Sequence, residues 1–213
     1  MIPLIIVMGV NLFNGRKYNI ISIGIILVSM FPIFYKYEKK DSSMLLIVLI
    51  AVLAAIAIVG RVAFFMVPFV KPMSAVIIIA GMYLGSEEGF LVGALAAVGS
   101  NVIYGQGPWT PFQMFSWGLI GFIAGIPFIS KKCQKNKIYL VLLGIISGIL
   151  FSVIMDSWSV LNFQSFSWTR YLAMLARSLP MTVTYMISNA IFLLVLYKPI
   201  GDVLKRIQVK YGF

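Results

Sequence analysis

The chain has 213 residues, of which 61% are hydrophobic and only 11% are charged. A soluble domain of this length carries far more polar residues, so this composition excludes a soluble protein and indicates an integral membrane protein. The net charge of +11 sits in short loops and tails, where membrane topology accounts for it without a nucleic-acid partner.

The first 35 residues are predicted to be an N-terminal accessory segment of hydrophobic helices. Residues 1–13 would span about 20 Å as a helix, less than the ~30 Å hydrocarbon core, whereas residues 18–35 are long enough to cross it. The low polar content of this segment favours a structural role. Residues 36–43 follow as a charged linker, which we place in the cytoplasm.

Six apolar segments come next, so we predict an all-α integral membrane protein with a six-helix transmembrane core over residues 44–213. The segments cover residues 44–59, 73–84, 89–104, 112–129, 138–155 and 171–197. The second segment is short for a membrane span. Pro68 and Pro72 are expected to keep its outer end irregular, which a membrane tolerates only where that backbone is packed inside protein.

Basic residues set the expected orientation, because cytoplasmic loops carry an excess of lysine and arginine. With the linker inside, two more basic stretches fall on the same side, namely Lys131, Lys132, Lys135 and Lys137, and the tail with Lys198, Lys205, Arg206 and Lys210. We therefore predict a cytoplasmic C-terminus. Residues 60–72, 105–111 and 157–170 would face outside, where they would form the mouth of a binding site for a small solute. The turn before Glu87 would lie inside, with Ser86 capping the next helix.

Small residues on the predicted helices allow close approach of other helices. Ala51 and Ala55 share one face of the first core helix and would serve either a partner protein or an internal helix contact. Gly89, Gly93 and Ala97 form a ridge at a spacing of four, which we assign to packing within the bundle.

Polar and aromatic residues at the predicted outer ends are candidates for ligand binding. Asn101 must find partners when buried, either on a neighbouring helix or on a ligand, and Tyr104 follows on the same face. The loop after them combines glycines and prolines with groups that can offer hydrogen bonds or a flat apolar surface. Its candidates are Gln106, Trp109, Gln113 and Trp117, although an interfacial tryptophan such as Trp109 also serves as a membrane anchor.

Charged residues near the outer face add further candidates. Arg61 and Lys71 flank the first external loop and would bind either lipid headgroups or a solute. Arg170 and Arg177 share one face of the last helix, and an arginine inside the membrane costs roughly 3 kcal/mol unless it is paired or hydrated. Asp156 is either a structural partner of Arg177 or a ligand-binding group.

The external segment between the last two helices is a plausible lid. It supplies Trp158, Asn162 and Trp168 as further candidates for substrate binding. No catalytic residue is predicted, because the chain lacks a Gly-x-x-x-x-Gly-Lys-Ser/Thr phosphate loop, paired acids and a Ser/His pair. It has no histidine and one cysteine, Cys133, so no Cys/His metal site and no cofactor are expected.

These features resemble the substrate-binding S components of energy-coupling factor (ECF) vitamin transporters. The runs from Gly60-Arg61 to Lys71-Pro72, Gly105-Gln106-Gly107-Pro108-Trp109-Thr110-Pro111 and Gln113-Met114-Phe115, with the tail Lys210-Tyr211-Gly212-Phe213, look like the branch associated with cobalamin and its precursors. The resemblance covers roughly residues 20–213.

The resemblance implies a vitamin-binding subunit in a prokaryotic plasma membrane. It would bind a vitamin, here a corrinoid, from outside, associate with a transmembrane coupling protein and two cytoplasmic ATPases, and topple in the lipid bilayer to deliver its cargo. Ala51 and Ala55 match the family's docking surface. Two alternatives stay open: an S component for another heterocycle, such as dimethylbenzimidazole or a flavin, and a stand-alone carrier or channel.

Overall fold

The computed structural model describes residues 44–163 and 167–211, together with Val28, Phe31 and Tyr35. Over the two long ranges its only regular secondary structure is helical, which confirms the all-α class. They are α1 (Met44–Ala63), α2 (Met73–Leu84), α3 (Ser86–Tyr104), α4 (Thr110–Gly125), α5 (Pro127–Lys135), α6 (Lys137–Phe163) and α7 (Trp168–Tyr211). The accessory segment and the linker predicted over residues 1–43 lie outside the described residues, apart from the three single positions.

Each of the six predicted core segments is helical, but the helices differ in their ability to cross a membrane. By length and composition, α1, α6 and α7 qualify as spans, and α4 with α5 makes a fourth if the 72° bend between them is one broken span. The structure therefore supports three to four spans among the described residues. A core of six spans stays a prediction.

The short helix α2 lies at the centre of the bundle. Every residue from Met73 to Tyr83 is buried, and α1, α3, α4 and α7 all pack against it. An apolar helix of 12 residues is shorter than the ~20 residues that a span needs, so it is stable in a membrane only when other helices surround it. The helix itself is thus packed inside protein, whereas the irregular outer end, which was expected to be packed there too, is exposed from Phe65 to Pro68.

Glycines bring α2, α3 and α4 into backbone contact. A Cβ atom added at Gly121 would lie 2.1 Å from the carbonyl oxygen of Gly89, and one at Gly93 would lie 2.3 Å from the carbonyl oxygen of Trp117. No other residue fits at such distances. The ridge predicted on α3 is therefore a packing surface within the bundle.

Two smaller predictions come out differently. Ser86 was expected to cap α3, but it is the first residue of the helix. The capping position is occupied by Gly85, with φ of 123° and no side-chain cap. Ala51 and Ala55, for which an internal helix contact was one of two alternatives, are both exposed, whereas Ala54 and Ala57 face the core.

The two ends of the bundle differ in character. At one end, Ser130 and Gln134 donate hydrogen bonds of 2.7 and 3.0 Å to the carbonyl oxygen of Met82. This carbonyl group, in the last turn of α2, has no partner within the helix. We call this end of the bundle the Gln134 end, and the basic stretches of α5 and of the C-terminal part of α7 belong to it. We call the opposite end, where α1 ends and α2 begins, the Arg61 end.

The glycine contacts give a test of the packing. We expect Gly89→Ala to lower the free energy of unfolding by about 1–3 kcal/mol, because the new methyl group meets backbone atoms of Gly121 and Gly81 at 2.5–2.6 Å. Gly99→Ala on the same helix is the matched control, since its methyl group meets only the flexible tip of Ile58. Thermal unfolding of both variants in detergent measures the difference. Equal melting temperatures for the two variants would contradict this account of the α3–α4 contact.

Candidate ligand-binding site

A cavity of about 170 Å³ lies at the Arg61 end, between the loop before α2 and helices α4, α6 and α7. Half of the lining residues are polar or charged, and most of the others are aromatic residues or methionines. The aromatic members are Phe69, Trp117, Phe151 and Tyr185, and the charged members are Arg61, Lys71 and Asp156. A cavity that combines aromatic and apolar surface with convergent polar groups is a usual form of a small-molecule site.

Arg61 is the most buried charged group of this cavity, with 6% of its surface exposed. Its guanidinium donates hydrogen bonds to Ser100 and, at 2.9 Å, to the Asn101 side-chain oxygen. It also lies over the Tyr104 ring at 4.4 Å and the Trp117 ring at 5.0 Å. The buried charge is thus stabilised by neutral dipoles and ring faces rather than by a carboxylate.

Asn101 is the centre of the polar network around this arginine. Its amide donates to Thr110 Oγ1 at 3.0 Å and to Gln113 Oε1 at 2.8 Å, while its oxygen accepts from Arg61. The Thr110 hydroxyl in turn donates a hydrogen bond of 3.0 Å to the side-chain oxygen of Gln106. Of the two partners considered for Asn101, the neighbouring helix is therefore the one found, and Asn101 positions Arg61 and Gln113 instead of lining the cavity.

The Lys71 side chain extends from the loop before α2 to the Tyr104 ring, which Arg61 also contacts. Its backbone N–H donates to Ser188 Oγ at 3.0 Å, and its ammonium group lies over the Tyr104 ring at 4.8 Å. Burial lowers the pKa of Lys71, and the nearby charge of Arg61 lowers it further. Tyr104 anchors this arrangement, because its hydroxyl donates to the Arg61 carbonyl oxygen at 2.7 Å.

Aromatic rings form one continuous side of the cavity. Trp117 packs on Phe151 with ring centroids 4.6 Å apart, Phe151 contacts Tyr185 at 5.3 Å, and Tyr185 contacts Phe69 at 5.7 Å. Trp117 is held in place by a hydrogen bond of 3.2 Å from its indole nitrogen to Ser74. Phe69 has a positive φ of 62°, a backbone conformation that is costly for an aromatic residue.

Two tryptophans contact each other beside the loop that follows α3. Trp109 and Trp158 pack edge to face at 5.9 Å, and both are half-buried. The indole nitrogen of Trp158 is buried and has no hydrogen-bond partner within the two described ranges. This pair joins the loop of residues 105–109 to the end of α6. We call it the tryptophan pair.

The outer part of α7 differs from the prediction. Arg177 is exposed, and the structure shows no ion pair between it and Asp156; Asp156 instead accepts a hydrogen bond from Ser178. Arg170 and Trp168 are exposed as well. Arg170 and Arg177 share a helix face, as predicted, but neither of them lines the cavity. The side chain of Asn162 lies outside the described residues.

Five of the candidates for substrate binding lie in the cavity wall, and their role in binding stays a prediction: Arg61, Lys71, Gln113, Trp117 and Asp156. Sequence reasoning missed Phe69, Phe151, Ser152 and Tyr185. A signal existed for the two on α6, because Ser152 lies one turn before Asp156 and Phe151 lies on the same side. Ser178 and Tyr185 are likewise two turns apart on α7.

A family model described as ECF-type riboflavin transporter, S component, matches residues 41–202. The chain belongs to this family. No solved structure matches it significantly. An S component is a membrane-embedded transport subunit that takes a small-molecule vitamin and works with the A and T components of the transporter. The family thus confirms the ECF assignment made from the sequence, and it leaves the choice between corrinoid and flavin open.

The polar network gives a prediction for this S component. We expect Asn101→Ala to lower the free energy of unfolding by about 1–3 kcal/mol, because buried donors and acceptors on Arg61, Thr110 and Gln113 lose their partner. Gln106→Ala is the control, since Gln106 belongs to the same network but is exposed, so water replaces its bonds. Thermal unfolding in detergent compares the two variants. An equal loss in both would show that burial of the network has no energetic weight.

Proposed function

We propose that the chain captures its vitamin from outside the cell in the cavity at the Arg61 end and delivers it through the ECF coupling protein and two ATPases. Family membership supports the transport role. The observation that carries the choice of site is the cavity itself, an aromatic pocket with two cations at one end of the bundle. A C-terminus in the cytoplasm fits this proposal, because the basic stretches belong to the opposite end.

The cargo that we propose is a corrinoid. The support comes from the resemblance of the loops at residues 60–72 and 105–111 to the cobalamin branch, and from the surface that the tryptophan pair offers to a large, amide-fringed ring. A corrinoid is several times larger than a cavity of about 170 Å³. It would therefore bind across the mouth, against Trp109 and Trp158, with only one part entering the cavity.

Riboflavin is the second candidate, and two observations favour it. The matching family is described as a riboflavin transporter component, and the aromatic side of the cavity is suited to stacking on a single flat ring system. A flavin would bind inside the cavity, against Phe69 and Trp117, rather than at its mouth. The two candidates thus depend on different aromatic residues.

Calorimetry on the purified protein with cyanocobalamin, cobinamide and riboflavin tests the cargo. For a corrinoid at the mouth, we expect Trp109→Ala to weaken binding about tenfold, the loss of one aromatic contact, and Phe69→Ala to change it less than about threefold. Both residues are partly exposed, so truncation should spare the fold. Binding of riboflavin alone, weakened by Phe69→Ala, would replace the corrinoid with a flavin. If none of the three ligands binds, both proposed cargoes are wrong, while the family assignment stands.

Docking to the coupling protein is proposed for the exposed face of α1 that carries Ala51 and Ala55. Large side chains there should block close helix approach without touching the cavity. We expect Ala55→Trp to abolish vitamin uptake by cells that carry the whole transporter, while ligand binding by the purified subunit is unchanged. Ile146→Trp on the exposed face of α6 is the control and should leave uptake intact. Normal uptake by Ala55→Trp would exclude this face as the docking surface.

A further inference from the structure

The cavity wall carries more positive than negative charge. Arg61 and Lys71 contribute two cations, and Asp156 contributes one carboxylate. Asp156 accepts a hydrogen bond from Ser178, and no ion pair joins it to either cation in the described part of the chain. If all three groups are ionised, one positive charge is left without a counter-charge in a site of low polarity, where it is costly.

The two cations converge on one ring. The Arg61 guanidinium carbon lies 4.4 Å and the Lys71 ammonium nitrogen 4.8 Å from the centroid of Tyr104. Like charges held against the same ring repel each other, and an anion that contacts both groups would relieve this repulsion. Hydrogen bonds to the backbone hold both residues in place. The Lys71 N–H donates to the Ser188 hydroxyl, and the Tyr104 hydroxyl donates to the Arg61 carbonyl oxygen.

Arg61 also retains an unused donor. Its Nε atom is buried and has no hydrogen-bond partner among the described residues, and only 6% of the surface of the residue is exposed. A buried N–H without a partner costs free energy that a purely structural arginine would avoid. A guanidinium binds the oxygens of a phosphate through several N–H groups at once, and a neighbouring ammonium adds a point charge.

We propose that Arg61 and Lys71 form a binding site for a phosphate group of the cargo. The proposal rests on the proposed vitamin-binding function and deepens it, since it names the chemical group that enters the cavity. One negative charge would neutralise the net charge of Arg61, Lys71 and Asp156, and a phosphodiester carries one negative charge. The site would therefore prefer a vitamin form that carries its phosphate over the precursor that lacks it.

Cobalamin and cobinamide make a suitable pair of probes, because only cobalamin carries a phosphodiester. The pair also differs by a ribose and a base, so the wild-type preference alone does not decide. Calorimetry should give a preference for cobalamin of about 10- to 100-fold, the size expected for hydrogen bonds to a charged group. In Lys71→Met and Arg61→Gln the preference should fall below about threefold, because cobalamin weakens while cobinamide keeps its affinity.

The variants are chosen to separate binding from folding. Arg61→Gln removes bonds to Ser100 and Asn101 and could disturb the fold, whereas Lys71 holds its loop by its backbone N–H, which Lys71→Met retains. Lys135→Gln, at the exposed surface of the Gln134 end, is the control for net charge and should keep the full preference. A merely structural role of Lys71 would weaken both corrinoids equally, and this result, or an unchanged preference in Lys71→Met, would overturn the phosphate site.

Failure of the proposed cargo gives a different result. If neither corrinoid binds the wild-type protein, the corrinoid cargo is wrong, and flavin mononucleotide against riboflavin repeats the comparison with the same variants. A preference for the phosphorylated flavin that disappears in Lys71→Met would support the site without the corrinoid. Equal binding of the two flavins, or no binding of either, would overturn the site.

Discussion

The site depends on how the bundle stabilises the buried charge of Arg61. In the part of the chain that the structure describes, no carboxylate contacts it, so its charge is balanced by the dipoles of Ser100 and Asn101 and by the faces of two aromatic rings. These groups come from α3 and α4, and each is a weak partner alone. Only their simultaneous presence makes a buried guanidinium tolerable. The positions of α3 and α4 relative to α1 are therefore a condition for the site as well as for the fold.

That relative position is set by glycine. Contacts between the backbones of Gly89 and Gly121 bring α3 and α4 together along their length, and α2 lies against both. Close approach places Asn101 within hydrogen-bonding distance of Thr110 and Gln113, which the next loop brings back towards α3. Helices α6 and α7 contribute the opposite side of the cavity, where two aromatic rings and two methionines lie among the polar residues Ser152, Asp156, Ser178 and Asn189. Both sides of the cavity thus combine polar and apolar groups.

Much of this could be predicted from the sequence, and the failures have physical causes. Helix positions and the glycine ridge follow from local patterns, and the resemblance added the family. The orientation of α7 could not be derived, because a spacing of seven shows that Arg170 and Arg177 share a face but not which way that face points. Phe69 was missed because its loop has no periodicity. The cap expected at Ser86 failed because the positive φ of Gly85 already turns the chain into the helix.

The bend at Ile126 has a consequence for movement in the bilayer. If α4 crosses the membrane, a turn of 72° sets α5 nearly along its surface, where Lys131, Lys132 and Lys135 can contact lipid phosphates. A subunit that rotated by a right angle would stand α5 upright and push these lysines towards the hydrocarbon, at about 3 kcal/mol for each one that reaches the centre. Rotation would thus be opposed in the isolated subunit and become easy only where another protein shields α5 from lipid.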